Sequence, residues 1–311
     1  MTGRQGGEIV GSGLRIVCNN GKRWRMNKKK EKAPVSVLMS LYWKENPEYL
    51  KQALDSIFAQ TMLPDEVVCV LDGPVGDKLT GVLEEFVQRS GQDARLPRMV
   101  IVPITHNGGL GKALHEGMLK CSNELIARMD TDDIAKPARI AKQYSYMTAH
   151  PEIAACGTWI EEFIGKTDNI ISERVTEAEP EKLAEYARMR NPMNHPTVMM
   201  RKSAVMKAGN YQHCPFFEDW FLWVRMIEQG MKLANIPECL LSFRASRDMF
   251  MRRGGLRYIR DNNKFQKLLY KRGFISRRKA YLNTMVRTSV YMMPCWLRAS
   301  IYPRFIHRKK G

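Results

Sequence analysis

A chain of 311 residues, 44% hydrophobic and 26% charged, is long enough to bury a sizeable core, which argues against a globally disordered protein. Its net charge of +18 is unevenly spread: residues 1–33 carry nine Lys/Arg and two Glu, residues 34–243 carry 22 basic and 28 acidic side chains, and residues 244–311 carry 19 Lys/Arg and two Asp. A mildly acidic body between two basic arms argues against a nucleic-acid enzyme, whose basic surface surrounds its site, and suits an anionic membrane surface.

The seven cysteines are odd in number and form no CxxC pair, which argues against a disulfide framework or a zinc site and points to a reducing compartment. No secretory apolar core precedes the body. The most apolar long stretch, Tyr281 to Pro303, is broken by Arg287, Pro294 and Arg298 and does not read as a membrane span. The expected location is the cytoplasm, at the inner face of the cytoplasmic membrane.

Residues 1–33 read as a flexible basic leader, and Met26 is an alternative start. A buried strand follows at Val35–Leu41. Asn46-Pro47-Glu48 supplies a cap, a proline at the first helical position and an early acid, with Leu50, Leu54, Ile57 and Phe58 striping the helix after it. Val67–Leu71 is the second strand, ending at Asp72-Gly73, and a helix over about Lys78–Gln88 presents Leu79, Val82, Leu83 and Phe86 on one face. Met99–Ile104 is the third strand. The glycine loop 106–111 leads into a helix reaching Cys121, and Leu125–Met129 is the fourth strand. Further on, Ile153–Phe163 reads as strand, Glu181–Arg190 as helix, and His195–Met200 as a short strand with a helix or turn after it to Gly209. Phe216-Phe217-Glu218-Asp219-Trp220 opens an apolar helix that stops at Gly230.

Strands alternating with helices predict an α/β fold, a mostly parallel central sheet with helices on both faces. Ligands bind such sheets beyond the carboxyl ends of the strands, where Tyr42, Asp72, Asn107 and Asp130 fall. The sharpest motif is Asp130-Thr131-Asp132-Asp133, three carboxylates in four residues directly after a buried strand. Their mutual repulsion is relieved by a cation, and hard oxygen ligands suit Mg²⁺ or Mn²⁺ bridging to substrate phosphates; an Asp-rich turn is the plain alternative. Gly108-Gly109-Leu110-Gly111-Lys112 matches neither a P-loop nor a GxGxxG fingerprint, although Lys112 could counter a diphosphate. Glu218-Asp219 sits beside aromatics at a helix start, where desolvation can fit a carboxylate for general-base work or where acids simply complement the helix dipole. His195 reads as a satisfied structural histidine, and no GxSxG elbow supports a hydrolase.

Taken in order, Val35–Tyr42, Asp72-Gly73, Asn107–Gly111, Met129–Asp133, the segment Asn191–Val198 and Glu218-Asp219-Trp220 resemble the family 2 glycosyltransferases of GT-A fold, in particular bacterial enzymes of capsule, exopolysaccharide or O-antigen synthesis. The likeness covers about residues 34–245. It implies an inverting transfer of sugar from a nucleotide-sugar, usually a UDP-sugar, to a saccharide or lipid-linked saccharide. Ser40 and Tyr42 would contact base and ribose, Asp72 the base, and Asp130 and Asp132 the ribose and diphosphate side. Asp132 or Asp133 would ligate the metal, and Asp219 would be the base that deprotonates the acceptor. Two positions depart from the pattern: Pro74 replaces a frequent Ser, and Trp43 follows Tyr42 in place of Asn.

Residues 244–311, with Trp296, several Tyr and many Lys/Arg, have the composition of a basic amphipathic helical segment at a membrane interface; a solvated basic helical cap packed on the domain is the plain alternative. Two rival readings remain at this level: a polyanion- or nucleic-acid-binding α/β protein, and a nucleotidyltransferase.

Overall fold

The computed structural model describes residues 31–245, 255–293 and 307–308. The expected leader up to residue 30 lies outside the described residues. Residues 32 and 33 do not belong to a leader at all: β1 spans Lys32–Leu41 and starts pairing at Lys32, opposite Leu63.

Four parallel strands form the first half of the sheet: β1, β2 (Leu63–Asp72), β3 (Arg98–Ile104) and β4 (Leu125–Arg128), in spatial order β3-β2-β1-β4. The helices between them are α1 (Pro47–Phe58), α2 (Asp77–Gln92) and α3 (Leu110–Lys120). α1 starts where the sequence says it should: the Asn46 side chain accepts the Glu48 amide at 2.8 Å and Pro47 opens the helix. The strands are apolar on both faces because both faces are covered. Val35, Val37, Met39 and Leu41 of β1 pack with α1 and α2 in one core layer, while Leu38 joins Val68, Val70 and α3 in the other. α3 lies flush on the sheet at Gly117, where a Cβ would come within 2.4 Å of Leu38 and 2.6 Å of Val70.

The second half turns antiparallel. β5 (Ile134–Ala135), α4 (Arg139–Ala149), β6 (Ile153–Phe163), β7 (Ile170–Arg174), α5 (Pro180–Tyr186), β8 (Met199–Arg201), α6 (Lys202–Lys207), α7 (Glu218–Glu228) and β9 (Lys232–Arg244) follow in order. β8 joins β4 to β6, both antiparallel to it, and β9 runs parallel to β6 and carries β5. Two helices, α8 (Gly255–Lys271) and α9 (Arg277–Met292), and the short β10 (His307–Arg308) complete the described elements. Trp296 lies outside the described residues. No described helix is long and apolar enough to cross a membrane.

Three sequence expectations need correction here. His195–Thr197 is a 3₁₀ turn rather than the start of a strand, since Pro196 has no amide to give a ladder, and the strand begins only at Met199. α5 stops at Tyr186 instead of Arg190, because the chain tightens into turns closed by Arg188 N–H to Glu185 and Met189 N–H to Tyr186. Arg244, assigned to the basic arm, is the last residue of β9 and is buried in the body.

Candidate functional site

Strand order reverses between β1 and β4, which opens a crevice at their carboxyl ends. Ser40 and Tyr42 stand, half-buried, at the end of β1, with Trp43 beside them, 60% exposed at the rim. Asp130, Asp132 and Asp133 follow β4. One ligand oxygen from each lies within 4.8 Å of the others, a spacing that fits a single cation.

Opposing cations frame this loop on both sides. The guanidinium of Arg128, buried inside β4, donates to Asp130 at 2.5 Å. Burial works against the Arg128 charge, but Asp130, Tyr211 and Asp133 together more than offset it and raise its pKa. On the other side Arg244 clamps the loop: its amide donates to Asp133 Oδ1 at 3.0 Å and its Nε to the Asp132 carbonyl at 2.9 Å. Its side chain stacks over Tyr49 at 3.8 Å and Phe163 at 4.6 Å.

These two arginines do not neutralise the cluster. Burial, followed by the charge of neighbouring carboxylates, raises the pKa of both Asp132 and Asp133, and Glu45 adds to the negative field at Asp132. Asp133 Oδ2 is buried with no hydrogen-bond partner. Raised carboxylates and an orphaned acceptor beside a spaced triad are what a divalent cation would correct. The donor set therefore fits Mg²⁺ or Mn²⁺.

The glycine loop closes a second side. Asp72, at the end of β2, accepts the amides of Gly108 at 2.7 Å and Gly109 at 2.9 Å, and its carbonyl accepts Asn107 Nδ2 at 3.1 Å. Gly73 takes φ +84°, and a Cβ there would stand 2.9 Å from the Asn107 amide nitrogen. Asp72 thus pins the loop against the strand end while each oxygen keeps a further lone pair. Lys112 is exposed, and its stem folds back so far that a Cβ on Gly108 would meet it at 2.3 Å.

α7 supplies the third side. Glu218 abuts the glycine loop: a Cβ on Gly111 would lie 3.3 Å from Glu218 Cβ. Burial, then the charge of Asp219, push Glu218 up to about 7, and it also feels Asp130 and Arg128. Asp219 is held by the Asn191 amide at 2.5 Å, and His195 Nδ1 stands 4.0 Å away. Tyr211 OH meets the other nitrogen of His195 at 2.9 Å. Burial drives the His195 pKa well below its ordinary value, so the ring is neutral and structural, as expected.

The structure brings Asp130, Asp132, Asp133, Glu218 and Arg128 into one electrostatic field and ties Asp72 to the Asn107–Gly109 loop, while Ser40 and Tyr42 lie at the end of the neighbouring β1. Arg128, Asn191 and Arg244 are missing from the sequence-based set. A signal for Arg128 existed, since a charged residue inside an otherwise buried strand needs a partner.

Glu218 gives a direct test of this electrostatic reading. Below about pH 4.5 its carboxyl is protonated in folded and unfolded chains alike. Between there and about 7 the unfolded chain ionises first, so stability falls as pH rises, and the full penalty persists above 7. Glu218→Gln is expected to raise stability at pH 8 by about 2 kcal/mol, allowing for partial solvent contact, and to change it little at pH 4. Thermal melts at the two pH values check this; equal shifts at both would contradict it.

The profile of "Glycosyl transferase family 2" matches residues 36–213. The chain is also 40% identical to the amylovoran biosynthesis glycosyltransferase AmsE of Erwinia amylovora, over 86% of this chain and 98% of that one. This chain belongs to glycosyltransferase family 2. A further relative, the UDP-Gal:alpha-D-GlcNAc-diphosphoundecaprenol beta-1,3-galactosyltransferase of Escherichia coli, is 32% identical over 88% of this chain and 96% of its own length. Among solved structures, the transferase shares its fold with the mannosyltransferase PcManGT of Pyrobaculum calidifontis in complex with GDP-Man and Mn²⁺, at TM-score 0.56 and 13% identity, covering 87% of this chain and 79% of that one. It also matches S. aureus TarS 1–349 in complex with UDP-GlcNAc, at TM-score 0.57 and 14% identity over 76% of this chain and 66% of TarS. The fold is GT-A-like. Family membership makes the protein an enzyme, a glycosyltransferase, and sets aside the polyanion-binding reading.

Proposed function

We propose that this glycosyltransferase moves a sugar from a UDP-sugar to a saccharide or lipid-linked saccharide, with inversion, in the synthesis of a surface polysaccharide. The observation that supports the reading is the Asp130-Asp132-Asp133 triad at the β1–β4 crevice, with Glu218, next to Asp219, in the field of Asp130. One end of that crevice can hold a diphosphate with its cation, and the other can receive an acceptor hydroxyl. The relatives support the donor and acceptor classes: one is named for amylovoran biosynthesis, another for transfer from UDP-Gal to a diphosphoundecaprenol-linked sugar.

In this reading Ser40, Tyr42 and Asp72 line the nucleoside side, Asp72 chiefly by holding the Asn107–Gly109 loop in place. Asp130 faces the ribose and diphosphate, and Lys112 can swing toward the phosphates. Asp132 and Asp133 would hold the divalent metal, which when bound offsets negative charge on the leaving diphosphate. Asp219 takes the proton from the attacking hydroxyl. Its oxygen is aimed by Asn191, and the neutral His195 behind it offers no competing positive charge. Glu218, raised to about 7, shapes the field around Asp219 and stays beside the donor loop.

Incubation with UDP-, GDP- and dTDP-sugars in Mn²⁺ tests the proposal through the product released. Nucleoside diphosphate from a UDP-sugar is the expected result. Release of inorganic diphosphate would make the protein a nucleotidyltransferase, and absence of turnover with any donor and acceptor extract would remove the reading.

A further inference from the structure

The helical hairpin after residue 254 has a surface that sugar transfer does not use. Residues 255–293 contain ten Lys/Arg and one Asp. In α8, Tyr258, Asn262, Phe265, Gln266 and Leu269 face inward. On the opposite face Arg257, Arg260, Lys264, Lys267 and Lys271 recur at steps of three and four residues and are all exposed, an unbroken cationic stripe along about four turns. Asp261 pairs with Lys264 at 3.7 Å.

α9 complements it. Asn283, Arg287, Val290 and Tyr291 turn inward toward α8 and the body. The outer face instead carries Tyr281, Leu282, Met285, Val286 and Met292, each between 50% and 70% exposed. Arg277 and Arg278 are exposed at its start. Five large apolar side chains in contact with water on one helix face are a cost to the protein alone and mark a docking surface.

The hairpin is tied firmly to the site. Phe265 stacks on Phe217 at 4.9 Å and meets Trp220 at 5.0 Å, on either side of Glu218 and Asp219. Tyr258 packs against Tyr291 at 4.7 Å, Arg272 pairs with Glu228 at 2.6 Å, and Arg287 donates to the Met189 carbonyl at 2.8 Å.

We infer that the outer faces of α8 and α9 dock this enzyme on an anionic lipid bilayer, the α8 stripe meeting headgroups and the α9 stripe entering the headgroup–acyl boundary. A nucleic acid would satisfy the cationic stripe but not the apolar one, and an apolar protein partner would leave the cationic stripe unmatched. An anionic bilayer offers both, side by side. Docking through the hairpin places α7, and with it the acceptor side of the crevice, at a set orientation to the membrane. The inference is independent of the sugar-transfer reading, because vesicle binding and donor turnover are read separately.

The test is flotation of the full chain with phosphatidylglycerol-containing vesicles and with pure phosphatidylcholine vesicles, at low and high salt. Binding to the anionic vesicles, weakened by salt, is expected. Replacing the five α8 cations by Gln should lower partitioning at least about 100-fold. The variant L282S/M285S/V286S should bind anionic vesicles more weakly and lose its resistance to salt. Both variants change exposed side chains only and should keep donor turnover with a water-soluble acceptor, which also shows that they fold. Equal binding to neutral vesicles, no binding to anionic vesicles at low salt, or parental binding by both variants would overturn the inference. So would a concentration-dependent dimer lost in L282S/M285S/V286S, which would assign the face to a second copy.

Discussion

Asp219→Asn is expected to lower sugar transfer by about a thousandfold while leaving UDP binding near the parental value, since general-base catalysis contributes about 10²–10⁴ in rate. The substitution keeps the volume and the start of α7, and the Asn191 contact can re-form through the amide oxygen. It removes the capacity to take the acceptor proton, together with the negative charge that raises Glu218. Asn191→Ala separates holding from reacting. It leaves the carboxylate but frees its Oδ2 from the 2.5 Å amide contact. The loss in kcat should then be smaller than in Asp219→Asn, with an altered pH profile, because a carboxylate that loses a donor becomes more basic. Parental turnover in Asp219→Asn would assign the base elsewhere, with Glu218 the next group to test.

Asp132→Ala is expected to abolish metal-dependent turnover, by three orders of magnitude or more on the scale of lost electrostatic stabilisation at a transferring phosphate. It should also raise the stability of the metal-free protein. The cluster is self-repelling: beyond what burial does, Asp132 and Asp130 raise Asp133, and Asp130 and Glu45 raise Asp132. Deleting one charge relieves the other, as functional sites commonly trade stability for chemistry. Thermal melts in EDTA and in Mn²⁺ report both effects. The parent should gain stability with Mn²⁺ by mass action, and Asp132→Ala should not. No gain with Mn²⁺ in the parent, or an equal gain in the variant, would move the cation away from this loop.

The parallel half of the fold was legible because each element is locally self-consistent. The runs at Val35, Val67 and Leu125 are buried on both faces, the run at Met99 is a half-buried apolar strand at the end of the strand order, and the Asn46-Pro47 start acts within four residues. The elements that were missed depend on contacts the local pattern does not carry. β9 is interrupted by Pro237, and its register against β6 shifts around Trp159, so its alternation is broken where a reader would seek it. α4 turns Arg139 and Gln143 inward, where a helix stripe would be apolar. Those two polar side chains find partners outside the helix: Arg139 donates to the Arg128 carbonyl at 2.6 Å, with its Nη1 left buried and unpartnered, and Gln143 donates to the Thr197 carbonyl at 2.8 Å.

The same distinction runs through the site. The carboxylates announced themselves by clustering after strands and beside aromatics. Arg244 and Asn191 did not, because their importance lies in what they touch, across 111 residues in one case and 28 in the other. Arg128 was visible as a charge inside a strand, but its role is clear only once Asp130 is seen against it.

A metal-assisted nucleotide site at this crevice requires that nucleotide binding depend on the cation. The most direct measurement is calorimetric titration of UDP into the parent protein with Mn²⁺ and with EDTA, repeated for Asp132→Ala. Saturable UDP binding that requires Mn²⁺ in the parent and is lost in Asp132→Ala is the predicted result. Binding that is equally strong in EDTA, or unchanged by Asp132→Ala, would contradict it.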